Sequence, residues 1–114
     1  MKKEIDVPSL IAQIRLQLPV GQVTEKRMFG GVTFLLNGNM LCSASRQGLM
    51  IRVGKEAEPE ALSQPFAQPC LGAGRRMPGF IMVEPAGISE PADLSRWLRM
   101  ASAFVTGLPP KTKG

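Results

Sequence analysis

Side chains that move protons or attack carbonyls are sparse in this chain. It has neither histidine nor tyrosine, which removes two favoured acid–base groups. No base histidine can therefore activate a serine or a cysteine. The two thiols, Cys42 and Cys70, are too few and too far apart for a secreted disulfide framework. Without histidine they also fall short of the four ligands of a structural zinc site. They read as reduced thiols, buried as small apolar residues. Seven carboxylates lie in the body: Glu25, Glu56, Glu58, Glu60, Glu84, Glu90 and Asp93. Glu56, Glu58 and Glu60 share one charged, proline-broken stretch and read as a solvated face. Glu84 reads as a surface residue at a strand end. No two are spaced as a positioned acid and base. The expectation is a chain that is not an enzyme, with no catalytic residues, no metal and no cofactor.

Two glycine-bearing stretches invite a phosphate-binding reading. In "KRMFGGVTF" (26–34), Met28, Phe29, Gly30 and Gly31 precede a strand-like run. A Walker loop needs G-x-x-x-x-G-K-[ST], and a dinucleotide loop needs G-x-G-x-x-G between a strand and a helix. Here the glycines are adjacent and no helix N-terminus follows to face an anion. "GAGRR" (72–76) lacks both the third glycine and a preceding strand. Gly30 and Gly31 read instead as scaffold, permitting a bulge, a tight bend or a close backbone approach. Valine at either position is expected to lower stability, with Met28 and Phe29 as core contacts beside them.

Charge is the remaining functional signal. The formal net charge is +5, which raises the question of nucleic acid. The N-terminal residues carry Lys2, Lys3, Glu4 and Asp6 and balance out, while Lys111 and Lys113 lie in the tail. The body keeps only a mild excess with no basic stripe. Lys26 and Arg27 before the glycine pair, and Arg75 and Arg76 in a glycine-rich segment, are the candidate nucleic-acid or partner contacts. They would act together only if the fold brought them to one face. The aromatics Phe34 and Phe80 are not arranged as the paired platforms of an RNA-binding sheet. Seven methionines read as gap-fillers of the core, with a methionine-rich partner groove as the alternative use.

These residues need elements to position them. Leu10, Ile11, Ile14 and Leu18 recur at helical spacing, predicting a helix over 8–18 that Pro19 and Gly21 end. "VTFLL" and "MLCSA" flank Asn37 and Gly38, the strongest short hairpin signal. Two registers are open. A two-residue turn pairs Leu36 with Asn39 and Phe34 with Leu41. A three-residue loop that includes Asn39 pairs Phe34 with Cys42 and Thr33 with Ser43. "LMIRV" follows as a third strand. A short helix is expected at about 59–63, on the solvent side. "PCLGAGRRMPG" reads as a loop, and "FIMVEP" as a fourth, covered strand. The last helix spans about 91–105, with Leu94, Trp97, Leu98, Ala101, Phe104 and Val105 on one stripe. Trp97 falls on that stripe as a core anchor. The order predicts a two-layer α+β fold: an antiparallel sheet of about four to five strands, with the N- and C-terminal helices packed on one face. The divisions are a lead-in at 1–7, one domain at 8–106 and a basic, disordered tail at 107–114. No apolar run approaches the ~18 residues of a membrane span. The N-terminus lacks a signal peptide's apolar stretch, so a cytoplasmic protein with no membrane partner is expected.

The ordered series "RMFGGVTFLLNGNMLCSAS", "GLMIRVG" and "GRRMPGFIMVEP", closed by a tryptophan-bearing helix, resembles the N-terminal domain of TfoX/Sxy-type competence regulators. The shared features fall on Met28 to Gly31, Asn37 and Gly38, Met40, Leu49 to Val53, Gly74 to Met77 and Phe80 to Pro85. Pro78 and Gly79 depart from the family pattern, which often runs straight into its aromatic strand. Full regulators of the family carry a further C-terminal domain, so the chain looks like a stand-alone N-terminal domain. The resemblance implies a two-layer α/β fold and a role in transcriptional regulation of competence genes beside the cyclic-AMP receptor protein. It supplies no catalytic residues. The expectation is a non-enzymatic regulatory module acting through a protein partner, with an edge strand or apolar patch as its docking surface. That surface could also carry a homodimer. Direct nucleic-acid binding through a modest basic patch is the alternative.

Overall fold

The computed structural model describes residues 6–18, 21–28, 30–72 and 74–109. Helix α1 (Val7–Gln17) is followed by strands β1 (Val23–Met28), β2 (Gly31–Leu36), β3 (Asn39–Ser45) and β4 (Gly48–Arg52). Then come helix α2 (Glu58–Leu62), strands β5 (Ala67–Gly72) and β6 (Arg75–Val83), a 3-10 turn (Pro85–Ile88) and helix α3 (Pro91–Val105). The six strands form one antiparallel sheet in the order β1-β2-β3-β4-β6-β5. α3 packs on β3, β4 and α1, while α2 packs on β5 and β6. None of the described helices is long and apolar enough to cross a membrane.

The predicted architecture holds, with more strands than expected. β1 (VTEKRM) and β5 (AQPCLG) are the two edges of the sheet. An edge strand lacks a second neighbour and needs no apolar alternation, so neither segment carries a strand pattern. "PCLGAGRRMPG" is therefore not a loop. Its residues belong to β5, to β6 and to the turn between them. The last helix falls where its apolar stripe predicted. α1 begins one residue early, with Asp6 accepting a hydrogen bond from Ser9 N–H at 3.5 Å.

The core lies between the sheet and the helices. One row, Phe34, Cys42, Ile51 and Ile81, stands side by side across β2, β3, β4 and β6. A second row is Val32, Ala44, Leu49 and Val83. Leu10 and Ile14 of α1 and Leu94, Trp97, Leu98 and Ala101 of α3 close over them. Burying side chains of this size contributes about 1.5–3 kcal/mol each before entropy is counted.

The first hairpin combines both registers. Asn37 (φ 52°) and Gly38 (φ 83°) form a two-residue turn with both centres left-handed, and Leu36 pairs with Asn39. Beyond Leu35 and Met40 the pairing shifts, so that Phe34 faces Cys42 and Thr33 faces Ser43. Leu41 is the extra residue of this bulge. The bulge lets Leu41 and Cys42 both point into the core, where each is buried.

Candidate functional site

Strand alternation assigns every side chain of the sheet to the helix side or to the opposite side. On the opposite side one rung crosses all six strands: Lys26, Thr33, Ser43, Met50, Met82 and Gln68. At about 4.8 Å per strand the rung is about 24 Å long. The adjacent positions on this side are Thr24, Leu35 and Met40, and the pair Arg52 and Phe80. Among the described residues no helix packs here.

The burial pattern marks this face as separate from the core. Thr33 and Ser43 are almost fully buried, and Thr33 Oγ1 and Ser43 Oγ share a hydrogen bond of 3.0 Å. Their hydroxyls satisfy each other at the centre of the rung. Met50 is only 7% exposed, yet it does not belong to the contiguous core cluster. Nor do the half-buried Leu35, Met40, Phe80 and Met82. These buried and half-buried apolar side chains form a second layer on the side of the sheet away from the core cluster.

The strand residues of this face include the cations Lys26 and Arg52 and no carboxylate. Glu25, the only acid within a strand, alternates to the helix side. There it accepts a bidentate pair from Arg15 at 2.7 Å through each oxygen. That contact holds its carboxyl below the usual range. Glu84 lies just past β6, at the end of the sheet away from Arg52.

The four candidate cations do not share one face. Lys26 lies exposed on β1, on the uncovered side, and Arg27 alternates to the helix side. Arg75 and Arg76 lie on the β5–β6 hairpin, paired with Gly72 and Leu71. β2, β3 and β4 separate the two groups. Arg76 is also engaged by Glu58.

The glycine pair plays two structural parts. Gly30 takes φ +74° in the β1–β2 turn, with open space where a Cβ would stand. Gly31 opens β2 so close to β3 that a Cβ would sit 1.8 Å from the Ala44 carbonyl oxygen. Met28 ends β1 opposite Gly31, and Phe29 lies outside the described residues.

Glu58 is the functional side chain that the residue pattern missed. The stretch around it is not uniformly solvated, because α2 turns Glu58 and Ala61 inward. Glu58 Oε1 accepts from Gly79 N–H at 2.9 Å, and Oε2 accepts from Arg76. The Gly79 bond first, then Arg76, holds this carboxyl below its ordinary range. Between Ile81 and Arg76 the β6 chain bows out opposite Cys70. Glu58 ties down that bow through Gly79. Ala61 and Leu62 follow Glu58 at three and four residues, which was the readable sign that it shares the inward side of its helix.

Beside the bow is a groove of about 590 Å³, lined by Arg52, Gly54, Lys55, Glu60, Met100 and Phe104 among others. The Arg52 guanidinium lies 5.5 Å from the centre of the Phe80 ring and 5.6 Å from that of Phe104. Two stacked rings fix its position at the junction of the groove and the open sheet face. The groove carries charges of both signs, which favours neither an anion nor a cation. Among the described residues there is no group of three or more acids or cysteines able to hold a metal. Both cysteines are buried and free, and burial pushes both thiols up, away from the reactive thiolate.

A family model described as the TfoX N-terminal domain matches residues 15–105. The match covers most of the chain, which therefore belongs to that family. No curated protein and no solved structure matches it.

Proposed function

We propose that this TfoX N-terminal domain is a non-enzymatic binding module that works in a transcription-regulatory complex through protein contacts. The observation that carries this reading is the sheet with helices on one side only. Its second face keeps Leu35, Met40, Met50 and Met82 outside the core. Half-buried apolar side chains that belong to no core are candidates for further burial against a partner. Methionine suits such a surface, because its flexible thioether adapts to a partner's shape. The family resemblance adds the regulatory setting, the transcription of competence genes.

Direct nucleic-acid binding has less support. Lys26, Arg27, Arg75 and Arg76 would have to converge to hold a phosphate backbone, and β2, β3 and β4 lie between the two pairs. The open face also lacks the paired aromatic platforms on which bases stack. Affinity capture with the full-length chain from a native lysate tests the reading. Recovery of a specific protein partner supports it. A chain that captures nothing, and that stays monomeric at high concentration by light scattering, contradicts it.

A further inference from the structure

We infer that the groove beside the β6 bow binds a small monocarboxylate on an apolar body, its carboxylate on the Arg52 guanidinium and its body against Val53, Met100 and Phe104. Such a site is separate from the protein-binding reading and does not depend on it. The groove lies between the segment that follows β4, the bow of β6 and the last turns of α3. Its volume of about 590 Å³ is that of a pocket for a small molecule. Its walls are fixed by the protein itself. Gly79 O accepts from Val53 N–H at 2.9 Å and from Gly54 N–H at 3.1 Å, while Glu58 holds the Gly79 N–H. Gly54 lies so near the Phe104 ring that a Cβ would sit 2.5 Å from it, so a side chain there would displace the ring.

Arg52 supplies the polar anchor. Its side chain is half-buried and held by the Phe80 and Phe104 rings. An aromatic face attracts a guanidinium but leaves most of its five N–H donors free. Among the described residues the arginine side-chain hydrogen bonds come from Arg15, Arg76 and Arg96, and no acid pairs with Arg52. An oriented guanidinium without an acceptor matches a carboxylate through two parallel hydrogen bonds, with little freedom left to lose. The other charges of the lining, Lys55, Glu56 and Glu60, are exposed and of both signs, so they select no ligand. A phosphate dianion would need a second fixed cation and would meet the two glutamates. A single carboxylate needs only Arg52. The lining is otherwise largely apolar, with Val53, Ala57, Pro78, Met100 and Phe104, which suits a ligand that is apolar beyond its one charge.

The test uses the full-length chain labelled with ¹³C at its methionine methyls, because Met100 lines the groove. It is titrated near neutral pH with naphthylacetate and with decanoate, each against its primary amide. The expected result is that at least one acid shifts the Met100 methyl signal to saturation and binds about tenfold or more tighter than its amide. Arg52→Gln should bring that acid to the affinity of its amide. Ala103→Trp, at an exposed position of α3 that lines the groove, should weaken acid and amide together with a nearly unchanged unfolding midpoint, and it keeps the test decisive if Arg52→Gln does not fold. The proposal is overturned if neither acid moves Met100, or if each amide binds as well as its acid. It is equally overturned if Arg52→Gln folds and keeps the preference for the acid, or if Ala103→Trp binds the acid unchanged. Displacement of the acid by inorganic phosphate, with the same Met100 shift, would also overturn it, by marking a general anion site.

Discussion

At the scale of single residues, the two adjacent glycines separate two kinds of constraint. Gly30 needs a left-handed backbone and has room for a side chain, whereas Gly31 has no room. Valine should destabilise at either position. Asparagine should tell them apart, because it tolerates the left-handed region. Gly30→Asn should cost less than about 1 kcal/mol, while Gly31→Asn should cost about 3 kcal/mol through its clash with the Ala44 carbonyl. Urea unfolding of both variants checks the difference. Glu58 carries a pH signature. Its carboxyl is held below its ordinary value of 4.5 in the folded chain. It therefore stabilises the fold above the unfolded value, and that contribution is lost as pH falls through the lowered folded value. Glu25 acts with the same sign through Arg15. Glu58→Gln should flatten, though not abolish, the loss of stability in acid. It should also cost about 2 kcal/mol at neutral pH, by weakening the bonds to Gly79 and Arg76. Denaturant midpoints measured from neutral pH to below 4 would show both effects, and an acid slope unchanged by the substitution would contradict them.

At the scale of elements, α3 is held by Trp97, which is fully buried beneath it. Its Nε1 has no hydrogen-bond partner among the described residues. A buried donor without a partner offsets part of the stabilisation that the ring contributes. Trp97→Phe should therefore cost only about 1–2 kcal/mol, against about 3–5 kcal/mol for Trp97→Ala. Thermal unfolding of the pair checks this, and equal losses would contradict it. α3 was legible in the sequence because its apolar stripe is uninterrupted and proline opens it. The inner strands β2, β3 and β4 and the second half of β6 were legible because both their neighbours demand apolar residues. β1 and β5 were not, because an edge strand tolerates the charges of VTEKRM and the proline of AQPCLG. The first hairpin could not be settled by pattern because a bulge at Leu41 gives each candidate register one end of the pairing. Glu58 was hidden by its charged neighbours. Its partners, Gly79 and Arg76, lie some twenty residues away, beyond the reach of local periodicity.

At the scale of the whole molecule, all four helical elements serve one side of the sheet. Both helices and sheet meet in a single core. No helix among the described residues packs on the other side, where strand alternation places Met40, Met50 and Met82. The four cations that stood out in the sequence could be assigned to a common site only after the strand order was known, and that order disperses them. The methionines were visible as residues but not as a surface, because their common side depends on pairing between strands far apart in the chain. The central claim is that partners meet the module on this open face. A photo-crosslinking benzoylphenylalanine placed at Met40, on the open face, and separately at Arg99, exposed on α3, tests it in native lysate. Adducts to a protein partner from position 40 and none from position 99 are the predicted result. Adducts from position 99 alone, or from neither position while the unmodified chain still captures its partner, would contradict the account.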